Sequence, residues 1–291
     1  MLAVASQSCN GSAGDSAQAA VTLSATPSTN PNQDSQTADP AQKKVFVIVL
    51  ENTDASSAIK QPFLGQLAAK GALLSNYSAI TNPSQPNYIG LTSAGTWGIA
   101  DDSNHTVDVR HIGNLVEEKG LTWKSYAESY PGGCNLSASI GTYVRKHEPF
   151  LSYKNVQTDA TRCAKVVNSS QLATDIAAGT VPNYSFYVPD MNNDGHDTGV
   201  AYADNWLSNT FSSLINDPKF MKDNLFIVTF DEGSQANQVY TVLYGDAVIP
   251  GSTSSQATGH YGLLATIEQY LGLGSLGQAD ATAQPITGIW K

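Results

Sequence analysis

The run Val45-Phe46-Val47-Ile48-Val49-Leu50-Glu51-Asn52 decides how this chain is read. Its apolar residues are continuous and rich in β-branched side chains, which is the pattern of a strand buried on both faces. The run stops at a carboxylate, Glu51, which serves there as a functional group or as a cap for a following helix. Leu225-Phe226-Ile227-Val228-Thr229-Phe230 repeats the pattern and also ends in acids, Asp231-Glu232, before Gly233.

Working outward, Phe63, Leu64, Leu67 and Ala68 have helical spacing, and Gly71 stops that helix. Leu73–Ile80 reads as one strand, Tyr88–Ser93 as a short helix and Trp97–Asp108 as a polar loop. Ile112, Leu115 and Val116 mark a helix closed by Gly120, before a strand over Leu121–Tyr126. After residue 165 come a helix on Leu172, Ile176 and Ala177, a strand at Tyr184–Val188 and a helix at Val200–Ile215. A strand at Val239–Tyr244 and a last helix at His260–Leu271 complete the series. This alternation predicts an α/β fold with a mostly parallel central sheet and helices on both faces. Residues 129–165 lack periodicity and read as a loop-rich insertion, of the kind that shapes sites on such scaffolds.

Residues 1–43 are dominated by Ser, Thr, Ala, Asn, Gln, Asp and Pro, which cannot offset ordering entropy by burial. They are expected to form a disordered tail or tether, leaving residues 44–291 as a single folded domain. The formal net charge is −10, with 15 Lys and Arg that never cluster, so a nucleic-acid surface is not expected. No run is long enough to span a bilayer. Leu2-Ala3-Val4-Ala5 is too short for a signal peptide; Cys9 could close a lipoprotein signal, although Ser6-Gln7-Ser8 is a poor lipobox. Cys134 and Cys163 flank the loop-rich segment and are read as a disulfide in an oxidising compartment, the alternative being two buried thiols. The chain is therefore expected to be secreted or periplasmic, with or without an anchor at Cys9.

The polar groups gather at one edge. Glu51, Ser84, Asp190 and Asp231 each follow an expected strand, and ligands of open α/β sheets bind beyond the carboxyl ends of strands. Ser84 lies in Thr81-Asn82-Pro83-Ser84-Gln85-Pro86-Asn87-Tyr88, where two prolines stiffen the connection. It stands where a helix N-cap belongs, and its hydroxyl faces amides suited to an oxyanion or phosphate. The loop Pro189-Asp190-Met191-Asn192-Asn193-Asp194-Gly195-His196-Asp197 packs acids, amides and an imidazole together, a donor set for a divalent metal or simply a polar turn. Asp231-Glu232, adjacent acids after an apolar strand, are costly unless something cationic sits between them.

Five segments carry a family resemblance: Glu51-Asn52, Pro83-Ser84-Gln85-Pro86-Asn87-Tyr88, Asn193-Asp194-Gly195-His196-Asp197, Asp231-Glu232-Gly233 and His260-Tyr261. In that order, over roughly residues 44–275, they resemble the phosphoesterase family of acid phosphatases and phospholipases C, within the alkaline-phosphatase superfamily. Tyr126-Ala127-Glu128, Lys146-His147-Glu148-Pro149-Phe150 and the two flanking cysteines resemble its acid phosphatase branch. The resemblance implies a phosphate monoester hydrolase working through a phosphoserine on Ser84. It implies a metal site from Glu51, Asn52, Asp231 and Glu232, for zinc, manganese, iron or calcium. Asp190, Asp194, His196 and His260 fall where a second metal or a proton donor is built. Lys146, His147, Asn87 and Tyr126 are the remaining candidates around the substrate, small phosphorylated molecules.

Glu232 stands where several superfamily members have histidine, and the acid-to-histidine spacing is longer than in two-zinc relatives, so one metal with histidines moving protons is expected. The alternatives are a phospholipase C or phosphodiesterase on the same scaffold, and a non-catalytic surface binding protein. Ser84-Gln85-Pro86-Asn87-Tyr88 lacks the Arg of a formylglycine context, which argues against a sulfatase.

Overall fold

The structure, a computed structural model, describes residues 43–233 and 237–291. The expected tail therefore lies outside the described residues apart from Lys43, as does Cys9. The strands are β1 (Lys44–Leu50), β2 (Ala72–Leu74), β3 (Tyr77–Ser78), β4 (Trp123–Ala127), β5 (Ser139–Ile140) and β6 (Tyr143–Val144). They continue with β7 (Val166–Asn168), β8 (Tyr184–Val188), β9 (Asn224–Phe230), β10 (Thr241–Tyr244), β11 (Ser252–Ser254) and β12 (Thr258–Gly259).

Eight of them form one sheet in the order β11-β2-β10-β9-β1-β8-β4-β7. From β9 to β7 every pairing is parallel. β10 runs against both β9 and β2, and β11 is parallel to β2, so the sheet is mostly parallel with one reversed strand. β1 sits between two parallel neighbours, and its Val45–Leu50 side chains are wholly buried, as the unbroken apolar run requires. On one face Phe46 packs on Phe226, with ring centres 5.6 Å apart, and on Phe211 of the Val200–Ile215 helix. On the other, Phe186 of β8 meets Tyr88 of the Ser84–Ser93 helix and Phe150. Helices thus cover both faces.

Several expectations change. Leu73–Ile80 is two strands, β2 and β3, broken by a turn at Ser75 and Asn76, because β2 pairs in the main sheet while β3 pairs separately with β12. The strand expected over Val239–Tyr244 begins at Thr241; Val239 makes only an isolated bridge to Asp54. A four-residue helical turn, Ala279–Thr282, follows the His260–Leu271 helix. The 129–165 insertion is tied by the Cys134–Cys163 disulfide and is built from two-residue strands and short helical turns, too brief to leave a period in the sequence. No described helix is long and apolar enough to cross a membrane.

Candidate active site

The β1–β9 ladder carries two acids to one place. Leu50 lies opposite Phe230, and the Asp231 amide donates to the Leu50 carbonyl at 2.9 Å, so Glu51 and Asp231 leave the sheet side by side. The Glu51 amide in turn donates to the Asp194 carbonyl at 2.9 Å, which draws in the loop after β8. Both ladder extensions are backbone contacts, and they fix three carboxylates at the carboxyl end of the sheet.

Ser84 is not the N-cap of its helix. Pro83 holds that position, and Ser84 is the first residue of Ser84–Ser93. Its hydroxyl donates instead to Glu51 Oε2 at 2.9 Å. One turn on, Tyr88 Oη donates to Glu51 Oε1 at 2.6 Å, so a single helix face addresses both oxygens of one buried carboxylate. The helix is held at this level by Asn87. Its Oδ1 accepts from the Ile80 and Thr81 amides, and its Nδ2 donates to the Thr81 and Pro83 carbonyls and, at 3.4 Å, to Glu232 Oε2.

His147 comes from the insertion, on the turn Arg145–His147. The Arg145 guanidinium pins that turn by donating to the His105 and Leu151 carbonyls at 2.7 and 2.9 Å. The His147 ring stacks on Tyr88, with centres 5.0 Å apart. Burial, with Lys146 and His196 nearby, holds its pKa well below the usual imidazole range, so the ring is neutral. Its Nδ1 lies 3.1 Å from Asp194 Oδ2, and with Asp194 ionised this pairing puts the ring proton on Nδ1. Nε2 is then a bare lone pair, 3.3 Å from Glu51 Oε1 and without a hydrogen-bond partner.

Burial raises the carboxyls here, and their mutual repulsion adds to it. Glu51 lies well above the carboxylate range through desolvation and the Asp194 charge. Asp231 does so through desolvation and the charges of Glu51 and Glu232. Desolvation brings Asp194 and Glu232 each up to about 7. Asp231 Oδ1 accepts from the Asn52 amide, while Oδ2 is buried with no partner. An unpartnered imidazole nitrogen beside the buried Glu51 carboxylate fits a divalent cation, whose charge would offset the clustered acids. Ligand atoms of Glu51, His147 and Asp194 lie within 4.8 Å of one another, the one such group among the described residues.

The other expected residues take different places. Asn52, in a left-handed conformation at φ 55°, turns its Nδ2 back to Glu51 Oε2 at 3.3 Å. His196 is at the rim, about a third exposed, with Nδ1 on Asp197 and its ring 6.0 Å from that of His147. Asp190 serves its own loop: its carboxylate accepts from Ser129, Thr142 and the Asn192 and Asn193 amides. His260 has no nitrogen to offer a metal. Nε2 donates to the Asp231 carbonyl at 2.7 Å and Nδ1 accepts from Tyr77 Oη at 2.8 Å, so it supports Asp231 from behind. Tyr126 lies apart, because it points to the Phe46 face of the sheet, where its hydroxyl is held by Asp175 at 2.6 Å. Lys146 is close to the acids but paired with Asp102 at 2.8 Å. Tyr88 and Asp102 were not expected as site residues. Tyr88 could have been found from its place four residues after Ser84 on one helix, whereas nothing in the polar 97–108 loop marks Asp102.

The architecture and this acidic, serine-bearing strand edge define an alkaline-phosphatase-like phosphoesterase scaffold. The fold is shared with a protein of the alkaline phosphatase superfamily from Vibrio parahaemolyticus, at TM-score 0.59 and 12% identity over 84% of this chain and 70% of that one. It is also shared with murine ectonucleotide pyrophosphatase/phosphodiesterase 5, at TM-score 0.54 and 12% identity over 81% and 97%. The model of the Phosphoesterase family matches residues 41–274, and the chain belongs to that family. It is 34% identical to a probable acid phosphatase of Kluyveromyces lactis over 84% of this chain and 61% of that protein. To an acid phosphatase of Aspergillus niger it is 36% identical, over 84% and 62%. To a phosphatidylinositol-3-phosphatase of Mycobacterium tuberculosis it is 35% identical, over 86% and 84%. The chain spans about three fifths of the length of the fungal acid phosphatases it matches.

Proposed function

We propose that residues 44–291 act as one phosphoesterase domain that hydrolyses phosphate monoesters through a phosphoserine on Ser84. The observation that carries the reading is the buried Ser84 hydroxyl, at a helix start, already donating its proton to Glu51 Oε2. Ser84 Oγ attacks phosphorus, its proton passes to Glu51 Oε2, and the ester oxygen leaves with the substrate's alcohol after taking up a proton. In this reading His196, at the open rim, supplies that proton; water then cleaves the phosphoserine to free phosphate, giving its proton to His196, and Ser84 takes its own back from Glu51. Glu51, His147 and Asp194, whose ligand atoms lie together, would hold one divalent cation, and Asp231 and Glu232, with Asn52 beside them, would extend the donor set. Such an ion, when bound, lowers the pKa of the serine hydroxyl and neutralises phosphate charge. The oxygen-rich donors suit a hard cation such as manganese or calcium, while the His147 imidazole also suits zinc or iron. The Cys134–Cys163 disulfide supports an oxidising, extracytosolic location.

A second reading is a monoesterase acting on a lipid. The loops expected to be polar carry exposed Trp97, Leu136 and Ile140, and the mycobacterial relative is a phosphatidylinositol-3-phosphatase. Against it stands the net charge of −10, which an anionic bilayer repels.

Steady-state kinetics separate these readings, using an aryl phosphate, a nucleoside monophosphate, an aryl phosphodiester, phosphatidylcholine vesicles and vesicles carrying phosphatidylinositol 3-phosphate. Monoesterase activity predicts the highest kcat/KM on the two soluble monoesters. A higher value on the diester or on phosphatidylcholine would overturn the reading, and one on the phosphoinositide would select the lipid substrate.

A further inference from the structure

The start of the Ser84–Ser93 helix already carries an anion, and it is the protein's own. Of the four backbone positions whose amides lack an intrahelical partner, Pro83 and Pro86 have no N–H, which leaves Ser84 and Gln85. The Gln85 amide donates to Asp102 Oδ1 at 3.0 Å. The other oxygen of that carboxylate, Oδ2, accepts from Lys146 Nζ at 2.8 Å. Asp102 thus occupies the amide of the residue after Ser84 and the Lys146 ammonium group. Both charges act on the metal-site acids: Lys146 lowers the carboxyls of Glu51 and Glu232, and Asp102 raises that of Glu232.

A phosphoryl dianion delivered to Ser84 calls for the same two kinds of donor, a helix N-terminal amide and a cation. The Asp102 side chain is about a third exposed, so it can swing into water, and an ion pair this open is weak.

We infer that Asp102 competes with phosphate for Lys146 and the Gln85 amide and so sets how tightly the site holds a phosphoryl group. The inference rests on the phosphoesterase reading of Ser84. In the resting enzyme Asp102 offsets the charge of Lys146 and occupies the amide that follows the nucleophile. Substrate must displace the carboxylate, and when phosphate leaves, Asp102 returns to its donors. Product phosphate is therefore held weakly. The alternative is a purely structural role in which Asp102 only ties its loop to the helix start.

The substitution D102N separates the two, because an asparagine Oδ1 still accepts from the Gln85 amide while the charge opposite Lys146 is gone. The probe is inorganic phosphate, titrated calorimetrically into metal-loaded protein in the Ser84→Ala background, where turnover plays no part. The same phosphate is used as a competitive inhibitor of aryl phosphate hydrolysis by the Ser84 enzymes. D102N should bind phosphate about five- to tenfold more tightly than its parent, matching the loss of one close like charge at a solvent-accessible site. The gain should disappear in D102N/K146M. Unchanged or weaker phosphate binding in folded D102N would overturn the inference, as would a gain that survives without Lys146. Failure of the Ser84 enzymes to hydrolyse any phosphate ester would instead sink the phosphoesterase reading, which the calorimetric comparison does not depend on.

Discussion

Ser84 Oγ donates to Glu51 Oε2 at 2.9 Å across 33 positions of chain, joining the end of the central strand to the start of a helix. The contact explains why a serine that looks like a helix cap is not one. Pro83 takes the capping position and the hydroxyl is turned toward the carboxylate, so the residue is free for chemistry.

Ser84→Ala should accordingly lower kcat by a factor on the order of 10³ or more, as loss of a nucleophile does. The fold should persist, with stability lowered by about 1–3 kcal/mol, since one buried hydroxyl-to-carboxylate hydrogen bond is lost and no cap. Phosphate release from an aryl ester beside a denaturation curve checks both halves. A folded variant with near-normal turnover would remove Ser84 from the mechanism.

Tyr88→Phe tests a residue that acts through another. Its hydroxyl donates to Glu51 Oε1 at 2.6 Å and its ring stacks on His147, so the phenylalanine keeps the ring and drops only the hydrogen bond. Divalent-metal affinity should fall by about 10- to 100-fold, the usual cost of losing a residue that orients a ligand. Titration of metal into the chelated variant reads this directly. Affinity equal to wild type would show that Glu51 needs no such support.

How legible was this site? The acids were legible because a carboxylate directly after a fully apolar strand has nowhere else to go: Glu51 and Asp231 leave adjacent, in-register strands. The reversal of β10 was not, since periodicity reports which faces are buried and not which way a strand runs. His147 came from family resemblance alone; it sits on a three-residue turn pinned by Arg145, a long-range arrangement with no local signature. Tyr126 went to the wrong face because alternation along β4 separates it from Ser125, whose hydroxyl contacts Glu148 next to His147.

Asp231→Asn should separate metal binding from stability. Asp231 is buried beside Glu51 and Glu232, its Oδ2 has no partner, and both neighbouring charges raise its pKa after desolvation. Removing one charge from an uncompensated buried group should stabilise the metal-free protein by about 1–3 kcal/mol at neutral pH. The same change should weaken metal binding and turnover. Elemental content after dialysis, set beside melting of chelated wild type and variant, decides it. Full metal retention, or a chelated variant less stable than chelated wild type, would contradict the assignment.

The last prediction concerns acid tolerance and a pair of acids away from the metal cluster. Glu268, on the His260–Leu271 helix, and Asp280, in the turn after it, are both buried. Asp280 accepts from Ser275 Oγ and from the Leu276 and Gln278 amides. Burial pushes its carboxyl up, but those donors outweigh the effect and hold it below its ordinary value. Glu268 has a buried oxygen without a partner, and desolvation together with the Asp280 charge pushes it up to about 9. The pair is therefore one carboxylic acid beside one carboxylate. The folded state binds the Glu268 proton more tightly than the unfolded chain does. Between the ordinary glutamate value and about 9 the native state thus holds more protons, and stability falls as pH rises through that window. The contribution is fully present below the window, at acid pH. One proton gives a slope of at most about 1.4 kcal/mol per pH unit. Glu268→Gln keeps a neutral side chain of the same shape that can donate to Asp280, and it has no proton to lose. Urea denaturation of chelated protein at pH 5, 7 and 9 should show a smaller loss of stability with rising pH in Glu268→Gln than in wild type, with the two closest at pH 5. Parallel pH profiles would show that Glu268 does not hold its proton in the folded state.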